Sequence, residues 1–357
     1  MPVETVPKSA VDVIVIGAGP AGLHAAGLLQ KADLDVAVIE ARDRVGGRLE
    51  SVPAGPGHLD LGPTWFWSNE PLVNAVVATA GLPIFPQRLE GDTMVQTEDG
   101  VRRVAGNQID APSSRLASGI QAIAEALAAR LTAGTITFVA PVTRIADGDD
   151  GTLIVAAAGR SWIARRVVVA LPPATALAHI DFGDLLAEPL RVLVRSTPVW
   201  MGATTKVVAH YERPFWRDTG LAGAAFSWVG PMREMHDMSG PDGTPAAIFG
   251  FAQPGPNQPA PTVGAIIAQL TALFGPEAAT PVALHIKDWR SEPFTSPPNA
   301  DLLQDYQTYG DPLYQQPTAD GRLHFASTET STIAPGHIEG ALVAAERAAS
   351  QIVQTLP

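Results

Sequence analysis

A glycine-rich run, GAGPAG at residues 17–22, follows a short apolar stretch near the start of the chain. In this spacing the first glycine permits a tight turn, the second lets the backbone approach a pyrophosphate, and the third lets a helix pack against a strand. A glutamate eighteen positions after the third glycine stands where a carboxylate accepts hydrogen bonds from a ribose diol. The pattern predicts a dinucleotide-binding unit, and the residues that it assigns to the cofactor are Gly17, Gly19, Pro20, Ala21, Gly22 and Glu40.

A second glycine pair and an arginine follow this acid in the run EARDRVGGR, residues 40–48. Paired glycines permit another close approach of the backbone, and a guanidinium group can fork onto phosphate oxygens. This context favours FAD over NAD. We interpret Arg44 as a solvated loop charge, and we assign Ala41, Arg42, Gly47 and Arg48 to the cofactor.

One lysine lies in the alternating run TTKVVAHY, residues 204–211, which predicts a strand. The alternation places Lys206 on the same face as Val208. A lysine in that position must either reach solvent along its own stem or find a polar partner. Lys206 is therefore a residue whose surroundings need an explanation, and the bland interpretation is a solvated lysine on an edge strand.

The elements that must position these residues are read from apolar periodicity and from turn residues. Strands are predicted at 12–16, 36–39, 152–157, 162–170, 204–211, 246–252, 282–289 and 323–326, with a hairpin over 95–104. Helices are predicted at 20–31, 71–81, from Ser113 or Ser114 to about Leu131, 262–274 and 336–356. The stretches 230–245 and 254–261, rich in proline and glycine, are predicted to be loops.

Composition narrows the class of protein. The chain has 357 residues, enough for two domains that share a cleft, and 24 basic against 36 acidic residues. A net charge of −12 without a basic patch argues against nucleic acid or an anionic membrane as a partner, and weakly favours cationic substrates. No cysteine is present, which excludes disulfides and a cysteinyl flavin. No metal-ligand spacing, signal peptide or membrane-spanning run is visible, so a cytoplasmic, metal-free protein is expected.

Five motifs together resemble one family, the flavin-containing amine oxidases related to monoamine oxidase and polyamine oxidase. They are IGAGPAGL, EARDRVGGR, LDLGPTW (residues 59–65), TTKVVAHYERPFW (204–216) and HFASTETSTIAPGHIEGALVAAERAA (324–349). The resemblance spans the chain and implies an α/β fold, in which a Rossmann-type FAD-binding domain is joined to a discontinuous α+β substrate domain. We assign 1–68, 132–173 and 320–357 to the first domain, and 69–131 and 174–319 to the second.

The resemblance also implies further cofactor contacts. The segment Gly62, Pro63, Thr64 and Trp65 would run along the flavin ring, although Trp65 and Trp67 are equally compatible with an ordinary core. Backbone groups of Val142 would approach the adenine, and those of Ile338 the flavin. Glu329 would bind the ribityl or phosphate region, with a helix-capping acid as the alternative.

The catalytic assignments follow from the same resemblance. Lys206 would hold a water against flavin N5, and Trp289 would pack beside the ring. Two positions that carry an aromatic cage in monoamine oxidase correspond to Asn299 and His337, so His337 could instead hydrogen-bond a substrate or act as a base.

The implied reaction is oxidation of a small amine or amino-acid derivative. A hydride would pass from a C–H beside the nitrogen to N5 of non-covalent FAD, and O2 would reoxidise the flavin to give H2O2. Two alternatives remain at this point: an FAD-dependent desaturase or oxidase of a carbon skeleton, and a flavin-binding protein without turnover.

Overall fold

Two seven-stranded sheets, each assembled from separated stretches of the chain, form the framework of the protein. The computed structural model describes residues 10–107, 111–252, 255 and 258–356. The strands are β1 Val11–Ile16, β2 Val36–Ile39, β3 Ser51–Ala54, β4 Gly57–Asp60, β5 Ile84–Pro86, β6 Asp92–Thr97, β7 Gly100–Val104, β8 Ser114–Leu116, β9 Ile136–Thr137, β10 Val142–Asp147, β11 Leu153–Ala157, β12 Arg160–Val169, β13 Thr205–Tyr211, β14 Leu221–Ser227, β15 Met232–Asp237, β16 Ala246–Ala252, β17 Ala283–Asp288 and β18 Leu323–Phe325. The helices are α1 Pro20–Lys31, α2 Pro71–Ala80, α3 Ala122–Ala128, α4 Pro173–His179, α5 Glu188–Ser196, α6 Val263–Phe274 and α7 Ile338–Thr355.

The first sheet has the order β10-β11-β12-β1-β2-β9, and β18 extends the edge of β12 beside β11. Strand β1 lies between β12 and β2 and runs parallel to both. Helices α1 and α7 cover one face, and α4 and α5 cover the other. Burial on both faces explains why the run from Val13 to Ile16 in β1 and all of β2 are continuously apolar rather than alternating. All seven strands fall within 1–68, 132–173 and 320–357, the stretches that we propose as the cofactor domain.

The second sheet has the order β17-β13-β16-β15-β14-β6-β7 and is antiparallel except at the β14–β6 pair. Residues such as Val207 and Ile248 pack on one face against α6. The alternate residues, among them Val208 and Phe249, face the two-stranded β3–β4 sheet and pack with Leu59 and Leu61. The strands of this sheet fall within 69–131 and 174–319, the proposed substrate domain.

Most predicted elements are present, but two predictions are wrong and some elements were not predicted. The helix predicted from Ser113 or Ser114 to Leu131 is instead a short strand, β8, followed by the seven-residue helix α3. The loop predicted at 230–245 contains β15, which pairs with β14 and β16. Helix α5 was not predicted. In the loop predicted at 254–261, residues 254, 256 and 257 lie outside the described residues, and the remainder has no regular structure.

Within the described ranges, no helix is long and apolar enough to cross a membrane.

The turn between β1 and α1 has little room for side chains. Gly17 adopts φ +103°, a conformation that favours glycine. A Cβ added to Gly22 would lie 1.9 Å from the carbonyl oxygen of Gly17, so only glycine allows the helix to pack this closely on the strand. Gly27 lies on the same helix, but a Cβ there would meet nothing closer than 3.8 Å.

We expect Gly22→Ala to destabilise the protein by about 2 kcal/mol or more, because backbone must move to accommodate the methyl group. Gly27→Ala is the matched control and should stabilise the protein by about 0.5–1 kcal/mol through helix propensity. Chemical denaturation of both variants measures the difference. Equal stability of the two variants would show that the turn does not constrain the packing of α1.

Candidate active site

A cavity of about 390 Å³ lies between the two sheets, and both contribute to its wall. It brings together eighteen of the twenty residues that sequence reasoning assigned to the site. These are Gly17, Gly19, Pro20, Ala21, Glu40, Ala41, Arg42, Gly47, Arg48, Gly62, Pro63, Thr64, Trp65, Val142, Lys206, Trp289, His337 and Ile338. The two that lie outside the wall are Gly22, which packs α1 on β1, and Glu329.

The N-terminus of α1 forms one part of this wall. The helix begins with Pro20, and its N-cap residue Gly19 provides no side-chain cap. The first N–H groups of the helix are therefore available to an anion. A Cβ on Gly19 would meet only the carbonyl oxygen of Gly46 within 4 Å, at 3.9 Å, so the backbone is open towards the cavity at this point.

Glu40 lies just after β2, where it is buried. One carboxylate oxygen accepts a hydrogen bond from the Ala18 N–H at 2.7 Å, and the other accepts one from the Arg42 N–H at 2.8 Å. Each oxygen keeps a second lone pair. The carboxylate thus joins the turn between β1 and α1 to the turn after β2, and it can also accept hydrogen bonds at the cavity wall.

The two arginines after Glu40 have different environments. Arg42 lines the cavity and donates to Glu292 at 2.9 Å and to Thr295 at 3.0 Å. Arg44 donates to the carbonyl of Gly47 at 3.1 Å and to Glu50 at 2.5 Å. The interpretation of Arg44 as a solvated charge is therefore wrong, because it is partly buried and holds the glycine turn in place.

Arg48 forms a two-pronged ion pair with Glu329, at 2.6 and 3.1 Å. Glu329 is 0% exposed and also accepts from the Trp200 N–H at 3.2 Å. Burial lowers the pKa of the Arg48 guanidinium, but attraction to Glu329 outweighs it, and the net pKa is raised. The Glu329 side chain is thus one layer behind the cavity. Its partners are Arg48 and the Trp200 N–H, and its contact with the ribityl or phosphate region stays a prediction.

Lys206 is fully buried, with 1% exposure, on β13, an interior strand between β17 and β16, so the interpretation as a solvated lysine on an edge strand is wrong. Its Nζ donates to the carbonyl of Gly62 at 2.6 Å and to the hydroxyl of Thr64 at 2.5 Å. The same nitrogen lies 4.4 Å from the centre of the Phe249 ring. These three contacts take the place of water around the buried ammonium group.

Burial lowers the pKa of Lys206 to about 7, against the attraction of Asp60, which raises it. The unfolded chain binds this proton more tightly than the folded one. The contribution of Lys206 to the free energy of unfolding therefore rises as the pH increases from about 7 to the normal lysine value of 10.5. Burial also raises the pKa of Asp60, and both Lys206 and Arg115 oppose that shift.

Two tryptophans occupy the positions that the sequence suggested. The ring of Trp65 packs edge-on against His236, with 5.0 Å between the ring centroids, and at a tilt against Phe249, with 5.4 Å between the centroids. Trp65 therefore belongs both to the packed interior and to the cavity wall. Trp289 follows β17 directly, and its indole N–H donates to the carbonyl of Leu61 at 3.1 Å. This bond fixes the ring at the junction of the two sheets.

The aromatic-cage positions differ from each other in placement. Asn299 is exposed and does not line the cavity, whereas His337 lines it. Nδ1 of His337 lies 2.7 Å from a carboxylate oxygen of Glu70, which sequence reasoning missed. Trp200 and Phe251 also line the cavity and were missed. Phe251 lies opposite Lys206 in the β13–β16 pair, so predicting it would have required the register of these two strands.

Among the residues that the structure describes, no group of three or more histidine, cysteine, aspartate or glutamate side chains could hold a metal ion.

Comparison with known proteins decides the family. The model of the flavin containing amine oxidoreductases matches residues 96–353, and a model of NAD(P)-binding Rossmann-like domains matches residues 15–80. The chain belongs to the flavin containing amine oxidoreductases. It is thus a flavin-dependent enzyme with a Rossmann-type domain, and the family implies FAD as the cofactor.

Similar members of this amine oxidoreductase family align over nearly their whole length. A probable flavin-containing monoamine oxidase A of Dictyostelium discoideum is 24% identical over 97% of this chain and 98% of its own. The putrescine oxidase of Kocuria rosea is 25% identical over 96% of this chain and 95% of its own. The structure of cyclohexylamine oxidase from Brevibacterium oxydans superposes with a TM-score of 0.83 at 22% identity, covering 97% of this chain and 99% of that one, and shows the same fold.

In this amine oxidoreductase, Arg48→Ala should destabilise the apoprotein by about 3–5 kcal/mol, because it leaves the buried carboxylate of Glu329 without its charge partner. Adding Glu329→Gln to that variant should recover part of the loss, since the remaining group is then neutral. Denaturant titrations of the three proteins measure both effects. Arg213→Ala, which removes an exposed ion-paired arginine, is the control and should change stability little. A stable Arg48→Ala apoprotein would contradict the structural role of the pair.

Proposed function

We propose that the enzyme binds FAD non-covalently in the cavity between the sheets and oxidises a small amine or amino-acid derivative, with O2 as the electron acceptor. The observation that carries the proposal is the convergence of the glycine turns, Glu40, Lys206 and Trp289 on one cavity. The nucleotide fingerprint and the candidate catalytic lysine come from different sheets and from distant stretches of the sequence.

The residues present fit an extended dinucleotide. The uncapped N-terminus of α1, together with Arg42 and Arg48, would hold the phosphates, and Glu40 would accept hydrogen bonds from the ribose. Val142 lies on the same wall and would approach the adenine. Non-covalent binding is supported by the absence of any cysteine that could form a thioether. When bound, FAD supplies the hydride acceptor.

Lys206 is the candidate residue for positioning a small molecule at the reacting end. An ammonium group has three N–H donors, and two of them are engaged by Gly62 and Thr64. The third can hold a water or ligand in the cavity that Lys206 lines. A fixed, dry charge of this kind can act on charge that develops during reaction without a cost of reorganisation.

The wall near Lys206 favours a substrate with an apolar body. Trp65, Phe251 and Trp289 present aromatic surface there. Such surfaces orient a small ligand and exclude water from it. An amine fits both this wall and the net charge of −12, which favours the approach of a cation.

The function is tested by mixing the purified enzyme anaerobically with a panel of amines and amino acids and recording the flavin spectrum. At least one amine should bleach the flavin, and admission of O2 should restore it with formation of H2O2. Acid precipitation of the same enzyme should release FAD into the supernatant. Bleaching only by non-amine substrates would favour a desaturase, and colour that stays with the precipitate would contradict non-covalent binding.

Lys206→Met should keep the fold and FAD, because methionine matches the stem in length and packs without a charge. With a good substrate, either flavin reduction or reoxidation should fall about tenfold or more, equivalent to about 1.4 kcal/mol of barrier. The affected step in the wild type should also titrate with a midpoint near the lowered pKa of about 7, and this titration should vanish in the variant. Stopped-flow measurements of both half-reactions against pH provide the test. Lys31→Met, at an exposed position on α1, is the control. If Lys206→Met has the same rates and pH profile as this control, Lys206 has no role in the mechanism.

A further inference from the structure

His337 is held rigidly at the start of α7. It is the N-cap residue of that helix, and its carbonyl accepts a hydrogen bond from the hydroxyl of Thr328 at 2.7 Å. Its ring packs against the ring of Trp67, with 5.1 Å between the centroids. Its Nδ1 lies 2.7 Å from Glu70. Backbone, ring face and one ring nitrogen are therefore all constrained.

Glu70 can orient the imidazole because a different acid, Glu339, accepts the hydrogen bonds from the first N–H groups of α2. Glu70 precedes α2, but the first N–H groups of α2, from Leu72 and Val73, donate to Glu339 of α7 at 3.1 and 2.9 Å. One oxygen of Glu70 accepts from the Trp67 N–H at 3.0 Å, and the other faces His337. The Glu70 side chain is 6% exposed. The N-terminus of α2 is thus bound to the N-terminus of α7. This contact places Glu70, before α2, next to His337, before α7, on the cavity wall.

This pair determines which nitrogen of His337 can react. A carboxylate accepts a hydrogen bond, so Nδ1 carries the proton and Nε2 of the neutral ring carries a lone pair. The side chain of His337 is 38% exposed and lines the cavity. Nδ1 is thus occupied by Glu70, and Nε2 is the nitrogen that can accept a proton and exchange it with solvent.

Oxidation of an amine requires such an acceptor. An aliphatic amine is protonated at neutral pH, since its pKa is close to the lysine value of about 10.4. A C–H bond cannot release hydride while the adjacent nitrogen is an ammonium, because that nitrogen has no lone pair to form the C=N bond. The other titratable groups on the wall are engaged. Glu40 binds two backbone N–H groups, His179 binds the Pro293 carbonyl at 2.6 Å, and Lys206 is a donor to Gly62 and Thr64.

We propose that Nε2 of His337 accepts a proton from the substrate ammonium and that Glu70 is the positioning residue that makes it a base. This inference rests on the proposed function. In the step, an N–H bond of the ammonium breaks, its electron pair stays on nitrogen, and an N–H bond forms on His337. The imidazolium is stabilised by the carboxylate of Glu70, and its proton leaves through the exposed side of the ring. No electrons are transferred.

The charges that surround His337 agree with this assignment. Glu70 contacts the ring, Glu339 lies on the same helix, and Arg48, with its partner Glu329, and Lys206 belong to the same cavity wall or the layer behind it. Glu339 and Glu329 are already compensated by backbone N–H groups and by Arg48, which leaves Glu70 as the anion that acts on the imidazole.

The test is the pH dependence of anaerobic flavin reduction at subsaturating amine. In the wild type, this rate should reach a plateau well below the pKa of the amine, because the protein removes the proton. In His337→Gln, the rate should rise tenfold per pH unit up to the pKa of the amine, about 10.4, where it should approach the wild-type value, so that at pH 7 it should be about 10³-fold below the wild type. Glu70→Gln should lower the plateau rate, since it removes the carboxylate that holds Nδ1 of His337.

His285→Gln, which changes a histidine outside the cavity wall, is the control and should retain the wild-type profile. A loss of equal size at every pH in His337→Gln would show that the residue only shapes the site and would overturn the proposal. If the variants do not fold, the wild-type profile decides, since a rate that rises to the pKa of the amine without a plateau contradicts an internal base. Failure of every amine to bleach the wild-type flavin would instead refute the proposed function.

A measurement that does not depend on turnover is the tautomer of His337. Long-range ¹H–¹⁵N spectra of the histidine-labelled protein, with the His337 signal identified by its loss in His337→Gln, should show a protonated Nδ1 and a bare Nε2. In Glu70→Gln this preference should weaken. A wild-type ring protonated on Nε2 would overturn the proposal.

Discussion

A buried ammonium group joins the two halves of this molecule. The side chain of Lys206 leaves the second sheet and binds Gly62 and Thr64, which belong to the segment that follows the nucleotide-binding unit. An unpaired charge in this position would be very unfavourable, so the segment must lie where its carbonyl and hydroxyl meet the ammonium. Lys206 and its two partners all line the cavity, and the ring centres of Phe249 and Phe251 lie 4.4 and 5.9 Å from the ammonium nitrogen.

The same principle, a charge satisfied by a distant stretch of chain, operates elsewhere on the cavity wall. Glu329 fixes Arg48, and Glu339 fixes the start of α2. In each case an acid on or near α7 acts on an element from the first third of the sequence. The cavity wall is therefore kept in shape by directional polar contacts as well as by apolar packing, which is what a site that must hold both a polar cofactor and an apolar substrate requires.

Local sequence signals predicted the parts of the site that depend on local structure. The glycine turn, Glu40 and the alternation around Lys206 are each defined within a few dozen residues, and the structure brings them to one cavity. The pair of His337 and Glu70 could not be predicted, because its members are 267 positions apart and neither acid nor imidazole is unusual alone. The helix expected from Ser113 or Ser114 failed for a related reason. The N–H of Ile120 donates to Asp60 at 2.8 Å, and such tertiary contacts shortened a stretch whose periodicity favoured a long helix.

The position of β18 has a consequence for how the protein is made. This strand inserts beside β12, and α7 then packs across α1, so the cavity wall is completed by chain that is synthesised long after the glycine turn. On the ribosome, the nucleotide-binding turn emerges first but lacks the strand and helix that complete its surroundings. Because Ile338 and Ala341 of α7 line the cavity, its wall is complete only once the C-terminal helix has been made.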